Sequence, residues 1–494
     1  MVGMGNTPTT AMRNLIPAPT AAEPDATTFT LVDTAVVTAA SPDSVDVAEY
    51  LAALLRPATG YALPVRAEGS GIALELTGPA GPRGEAYTLD IGPTGVTLRA
   101  GTAEGLFRGV QTLRQLFGPR INRGTVQSGP WTLPGGRITD QPRFAYRGVM
   151  LDVTRHFFGV ADVKRFIDLA ASLKLNYLHL HLTDDQGWRL AIDAWPLLTT
   201  YGGATEVGDG PGGYYTKDDY REIVAYAASR FLTVVPEVDL PGHTNAALAS
   251  YPELNGDGRA PERYTGIEVG FSALSASNEL TYRFLDEVFG EIAAMTPGEY
   301  LHIGGDEALA MTHDDYAAIV ERAQEIVNAH GKTVVAWHEA AAAKLMPSTV
   351  VQYWGITTES PELVAAGAQG NKIIMSPANH AYLDMKYDAD SPLGLSWAGF
   401  VSVEDSYEWD PVTAVAGLDP TAILGVEGPL WTETTLTIGD IEFLAFPRIA
   451  SLAELGWASG PRQDWAAFRS RLAEMGAHWD AWDVNFHRSA EIPW

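Results

Sequence analysis

The chain has 494 residues, with 33 lysines and arginines against 61 aspartates and glutamates, a net charge of −28. A field of that sign repels nucleic acid and anionic membrane, which excludes both as expected partners. The composition, 46% hydrophobic and 19% charged, is that of a packed globular protein too long for one ordinary domain, and the absence of cysteine rules out disulfides, thiolate nucleophiles and cysteine-ligated metals.

Residues 1–25, rich in Pro, Thr and Ala, are expected to form a flexible lead-in. They hold no apolar run long enough for an export signal, and no later segment could span a bilayer. The expectation is a soluble chain in the cytoplasm, or a secreted one whose signal has been trimmed. Residues 26–142 predict a small α+β domain. FTLVDTAVVTA alternates loosely, VDVAEYLAALL has helical spacing, GIALELTG and EAYTLDIGPTGVTLRAG read as strands around tight turns, and TAEGLFRGVQTLRQLFG is an amphipathic helix. Nothing in this domain suggests catalysis. PWTLPGGRITDQPRF, with its Pro and Gly residues, carries the chain into a second domain.

In residues 143–494 the rhythm changes to short apolar runs separated by helical patterns. The runs are RGVMLDVTR, NYLHLHLTDD, LTVVPEVDLPGH, YLHIGGDE, TVVAWHE, TVVQYWG, KIIMSPA and AILGVEGPLWTE; the helical segments include ADVKRFIDLAASLKL and HDDYAAIVERAQEIVNAHG. Eight buried-looking strands alternating with helices predict an α/β fold, a (β/α)8 TIM barrel. Reacting groups of such a barrel sit where strands end, on one rim. Here those ends carry Arg155, Asp184, Asp239 with His243, Asp306 with Glu307, Trp337, Trp354, Tyr382 with Asp384, and Trp431 with Glu433. The strand interiors read as almost bare of charge.

Asp306 and Glu307 follow a glycine pair in HIGGDEA. On extended backbone, neighbouring side chains point to opposite faces and could reach different parts of one ligand. A random Asp-Glu pair is usually a solvated loop, but at the end of a barrel strand a functional pair is favoured. Like charges so close raise one pKa, giving a protonated acid beside an ionised partner. Cleavage of an acetal needs that combination. An isolated Trp is usually core filling; Trp337, Trp354 and Trp431 close strands at one rim, and flat apolar faces among carboxylates suit a sugar. Arg155 is either a structural ion-pair partner or a hydroxyl-binding group. His179, His181, His243 and His302 could instead surround a metal, but His179 and His181 fall below the rim, where a buried hydrogen-bonded pair is the plainer account.

DVTRHFF, HLHLTDDQGWR, PEVDLPGHTNA, HIGGDEA, VVAWHE, VQYWG, YLDMKY, PLGLSWAG and PLWTET occur in this order from about residue 146 onward. Together they make the barrel half resemble the β-N-acetylhexosaminidases of glycoside hydrolase family 20, above all actinobacterial ones. The preceding α+β domain resembles, more loosely, the non-catalytic domain that often precedes this barrel.

The resemblance implies an exo-acting, retaining enzyme in which the substrate's own 2-acetamido group is the nucleophile. Glu307 would then be the general acid and later the base. Asp306 would orient the acetamido group and balance the oxazolinium charge, and Tyr382 would donate a hydrogen bond to the acetamido oxygen. Trp337, Trp354 and Trp431 would wall the acetamido pocket, while Arg155, Asp384 and Glu433 would bind hydroxyls. Asp184 and His243 would complete the site behind Glu307, with Asp239 supporting them and Trp397 stacking on the next sugar. It implies terminal GlcNAc and GalNAc of oligosaccharides or glycoconjugates as substrates, and no metal or organic cofactor. Release of a disaccharide, as by lacto-N-biosidases, a metal-dependent hydrolase and a non-catalytic sugar-binding protein remain the alternatives. Oligomeric state is not readable.

Overall fold

Three short segments with inside–outside alternation form the middle of a seven-stranded sheet in the computed structural model, which describes residues 11–78, 84–460 and 464–494. They are β4 (Gly71–Leu76), β5 (Tyr87–Gly92) and β6 (Gly95–Ala100). With β1 (Ala21–Leu31), β2 (Val36–Ala39), β3 (Val65–Arg66) and β7 (Trp131–Asp140), they line up in the order β1-β7-β5-β6-β4-β2-β3. Helices Pro42–Thr59 and Ala103–Leu116 each bury an apolar face, through Val47, Leu51 and Leu55 in the first and Leu106, Val110 and Leu113 in the second. This unit runs to Ala145 and also includes Ala171–Lys174 and Ile449–Trp494.

Three expectations are corrected here. Residues 11–25 are not a loose lead-in: Met12, Leu15 and Ile16 are buried, and β1 starts at Ala21. Residues 1–10 lie outside the described residues. PWTLPGGRITD is the sheet strand β7, paired with both β1 and β5, because its alternate apolar side chains face a core that local Pro and Gly content does not reveal. The barrel does not extend to residue 494; helix Trp465–Ala481 belongs to the first unit, where Arg471 pairs with Glu454 at 2.6 Å.

The second unit, Tyr146–Ala170 and Leu175–Arg448, is a closed barrel of eight parallel strands. They are β8 (Tyr146–Asp152), β9 (Tyr177–His181), β12 (Thr233–Leu240), β13 (Tyr300–Gly304), β14 (Thr333–Trp337), β15 (Val350–Tyr353), β16 (Ile373–Met375) and β17 (Ile423–Leu430). A two-stranded ribbon, β10 (Thr183–Asp184) with β11 (Gly187–Trp188), follows β9. Both faces of each barrel strand are covered, which is why they appear as apolar runs rather than alternating ones. Helices such as Lys217–Ala228 and His313–Ala329 start on Thr caps that accept the backbone N–H three residues on, fixing where each connection ends. Between β16 and β17 form the short helices Ala378–Ala381 and Val403–Tyr407 and the 3-10 turn Pro420–Ala422, joined by long irregular segments.

The barrel interior is not bare of charge, contrary to the sequence expectation. His179, His181, Glu237, His302 and Glu427 all point inward with no exposed surface. Below them Tyr146 stacks on Tyr177 at 4.1 Å. Gly148 makes room for this layer, since a Cβ there would come within 2.5 Å of Glu427 Oε2. Among the described residues, no helix is long and apolar enough to cross a membrane.

Candidate active site

The backbone leaves β13 at Gly304, in a left-handed conformation (φ 67) that continues through Gly305 (φ 105). A Cβ on Gly304 would sit 1.6 Å from Asp239 Oδ1, so no other residue fits. The N–H of Gly305 donates to that same oxygen at 3.2 Å, and Tyr316 donates its hydroxyl to the Gly305 carbonyl at 2.6 Å. Gly304 thus admits the Asp239 carboxylate. Glu307 does not lie on extended backbone, as its position after a strand suggested; it is left-handed (φ 48).

Both acids instead converge on one imidazole. His243, also left-handed (φ 55), places Nε2 3.3 Å from Glu307 Oε2 and 3.5 Å from Asp306 Oδ2, while its Nδ1 lies 3.1 Å from Asp184 Oδ1. Two non-glycine residues held left-handed at adjoining positions cost on the order of 1–3 kcal/mol each, which surrounding structure must offset. The two carboxylates differ in access: the Asp306 side chain is 10% exposed and that of Glu307 33%. Burial, reinforced by Glu307 and opposed by His243, pushes Asp306 up to about 6. Burial disfavours the charge on His243, yet Asp184, Asp306 and Asp239 outweigh it and raise its pKa.

Above the pair opens a cavity of about 350 Å³, the scale of a small-molecule site. Arg155, His243, Asp306, Glu307, Trp354, Tyr382, Trp397, Trp431 and Glu433 line it. Arg155 lies 3.0 Å from Asp184, 3.3 Å from Asp152 and 4.0 Å from Glu433, with its guanidinium 4.9 Å over the Trp431 ring. It is both an ion-pair partner and part of the wall. Trp397, half exposed, stands nearly perpendicular to Trp354 and Tyr382 at 5.7 and 5.8 Å between centroids.

Four of the expected residues lie behind this surface, where Asp184 and Asp239 were expected and Trp337 and Asp384 were not. Trp337 is fully buried, its indole N–H given to Glu237 at 2.9 Å, and underlies Trp431 at 5.9 Å. Asp184, expected to complete the site behind Glu307, is enclosed by Arg155, His181 and His243. Asp239 braces the glycine turn; burial and the nearby Asp306 raise its pKa. Asp384 is 2% exposed, and burial beside Glu433 likewise raises its pKa.

The sequence reading missed several residues. Glu339 accepts the Trp354 indole N–H at 3.0 Å and is pushed up to about 8 by burial and by Asp306. Its signal was present, as the last residue of VVAWHE at a strand end. Ile267, Val269 and Leu395 complete the lining; they lie in irregular loops, where no periodicity marks them. Asp239, His243 and Asp306 bring potential metal-ligand atoms within 4.8 Å of one another, as do His179, Glu237 and His302. Both nitrogens of His179 and of His181, however, already meet carboxylates, so the plainer hydrogen-bonded account suffices for that pair.

Residues 144–460 match the glycosyl hydrolase family 20 catalytic domain, and residues 12–141 match domain 2 of the same family. The chain belongs to glycoside hydrolase family 20. It is 43% identical over 465 residues to a β-N-acetylhexosaminidase of Cellulomonas fimi, covering 93% of this chain and 92% of that protein. Among solved structures it is similar to the family 20 β-N-acetylhexosaminidase of Streptomyces coelicolor A3(2), with 52% identity, a TM-score of 0.96 and coverage of 98% and 99% of the two chains. It is also similar to a mutant Streptomyces plicatus β-hexosaminidase in complex with GlcNAc as product, with 53% identity, a TM-score of 0.96 and 98% of both chains covered. As a family 20 member the chain is a glycoside hydrolase, and its paired carboxylates occupy the mouth where that chemistry belongs.

Proposed function

We propose that the unequal exposure of Asp306 and Glu307 divides the labour of a β-N-acetylhexosaminidase, the activity of this chain, between them. Glu307, the more open acid, protonates the leaving glycosidic oxygen and later takes a proton from water. Asp306, more deeply buried, accepts the acetamido N–H and balances the positive charge as the acetamido oxygen bonds to the anomeric carbon and the glycosidic bond breaks. Tyr382 donates to that acetamido oxygen. Trp354 and Trp431 wall the arm inward, so an internal nucleophile is held in a near-attack pose and no protein nucleophile is needed. Water then opens the oxazolinium ring from the face the leaving group vacated, and the anomeric configuration is retained. Arg155 and Glu433, with Asp384 beneath them, receive the sugar hydroxyls.

The substrates are terminal, non-reducing β-linked GlcNAc and GalNAc of oligosaccharides or glycoconjugates. Trp397, half exposed at the edge of the cavity, stacks on the sugar that follows the cleaved bond. The observation that carries this reading is the convergence of both acids on His243 with only Glu307 well open to the cavity. A thiazoline mimic of the cyclised sugar tests it. Strong competitive inhibition is expected, and indifference to the mimic would point to an enzyme-borne nucleophile. Turnover of a chromogenic lacto-N-biose substrate in preference to the GlcNAc one would replace the monosaccharide reading.

A further inference from the structure

The histidines inside the barrel are rungs of one continuous chain that ends at the reacting pair. Tyr146 donates its hydroxyl to Glu427 Oε2 at 2.5 Å, and Glu427 Oε1 lies 2.9 Å from His179 Nδ1. His179 Nε2 meets Glu237 Oε2 at 2.9 Å, and the same oxygen meets His181 Nδ1 at 2.6 Å. His181 Nε2 meets Asp184 Oδ2 at 2.7 Å, and Asp184 Oδ1 meets His243 Nδ1 at 3.1 Å. His243 Nε2 then faces Glu307 Oε2 at 3.3 Å.

The geometry dictates charge. An imidazole whose two nitrogens both face carboxylate oxygens can satisfy both only by donating twice, as imidazolium. His179 and His181 are each in that position. His302 is not: its Nε2 has no partner, its Nδ1 lies 3.0 Å from the Gly304 N–H and 3.2 Å from Glu237 Oε1, and burial outweighs Glu237 and lowers its pKa, which favours the neutral ring. Carboxylate and imidazolium therefore alternate up the barrel axis. The proton affinities agree with that pattern. Burial opposes charge at every rung, yet Glu427 and Glu237 lift His179 to about 9, Glu237 and Asp184 lift His181 well above its ordinary value, and Glu237 and Asp184 stay well below theirs. Fully buried ions are costly, and apolar side chains of similar volume commonly pack a barrel interior at least as stably. A string of them that terminates on a catalytic acid calls for a function beyond packing.

We propose that His181, supported by Glu237, His179 and Glu427, is a positioning residue for the proton-transferring acid: it pins Asp184 as an anion, which holds His243 as an imidazolium against Glu307 and so sets the pH range of turnover. This rests on the role given to Glu307 above. The charged groups that face His181 are Glu237 and Asp239 from β12, Asp152 from β8, Asp184 just beyond its own strand and Asp306 beyond β13, with the Trp431 ring edge-on at 4.8 Å.

The test uses His181→Gln, which keeps a hydrogen-bonding side chain and removes the charge. With one positive charge fewer near the mouth, protons there are held more tightly. The alkaline limb of kcat/KM should move up by roughly half to one pH unit, with kcat down about tenfold and KM within about twofold. Glu427→Gln, which removes a negative charge at the far end, should move the limb the other way and by less. A folded His181→Gln protein with an unshifted limb overturns the proposal. In case the variants fail to fold, nitrogen-15 NMR of the unsubstituted protein near pH 7 reads the rungs directly. Doubly protonated His179, His181 and His243 beside a neutral His302 support the proposal, and a neutral His181 overturns it. The NMR readout involves no turnover, so full activity in Glu307→Gln would sink the catalytic reading while leaving the charge ladder standing.

Discussion

Both units bury charge, but they finish the job differently. In the first, Asp140 takes the ammonium of Lys174 at 2.8 Å, the Tyr87 hydroxyl at 2.7 Å and the Trp457 indole N–H at 3.0 Å, and Arg108 is clasped by Glu85 and Glu104. These clusters are closed. In the barrel, Asp185, Asp239, Asp306, Asp384 and Glu433 each keep at least one buried oxygen without a hydrogen-bond partner, and among the described residues every carboxylate in that state lies there. Leaving buried polar atoms unpaired costs on the order of 1–3 kcal/mol each. The first unit also leaves Gln111 Oε1, Ser451 Oγ and Arg471 Nε without partners, but its described buried carboxylates are all paired, whereas Asp306 and Glu433, each with an unpaired oxygen, line the barrel's cavity.

The comparison can be broken at four points, from the largest effect down. Glu307→Gln should lower kcat on substrates with poor leaving groups about 10²–10⁴-fold while binding persists, measured by steady-state kinetics with natural and activated leaving groups; near-normal turnover would remove Glu307 from its role. Asp306→Asn should cost about 10²–10³-fold in kcat, since an amide cannot supply the balancing charge, and it should also weaken thiazoline inhibition.

Asp140→Asn should leave kcat of the folded enzyme unchanged and lower stability by about 3–5 kcal/mol, because Lys174 then stays buried without its counter-charge; chemical denaturation measures this, and a change under about 1 kcal/mol would show that the closed cluster is not closed by charge. The smallest effect is a pH dependence. His179 is raised from 6.5 to about 9 on folding, so its proton contributes stability in full below about pH 6.5 and loses it as pH rises through 9. The melting temperature should fall across that window by a few degrees, and His179→Gln should flatten the fall.

The eight barrel strands were legible as apolar runs because burial on both faces leaves a local trace in composition. Asp306, Glu307, Tyr382 and Trp431 were legible because barrel strands end where chemistry is placed, and their family motifs stand in order. Trp337 illustrates the limit. Its place at a strand end matches that of Trp431, yet it lies one layer lower, and a difference of depth writes nothing into the local sequence. The strand β7 was taken for a connection for a similar reason, since its partners, Ala21–Leu31 and Tyr87–Gly92, lie far away in the chain. Glu237 and Glu427 went unremarked within apolar runs whose neighbours gave no hint of the histidines opposite.

The barrel architecture and a sugar-cleaving rim were thus determined by the chain alone, through hydrophobic periodicity and the residue types at strand ends, both of which are local properties, while the finer chemistry was implied by the ordered family motifs. Which acid is open and which is buried, which tryptophan forms a wall and which a floor, and the alternation of charge along the barrel axis were decided only by tertiary structure. Each depends on residues as far apart as Glu427 and His179 meeting within 2.9 Å, and proton affinity and exposure arise from that meeting rather than from either residue's neighbours in sequence.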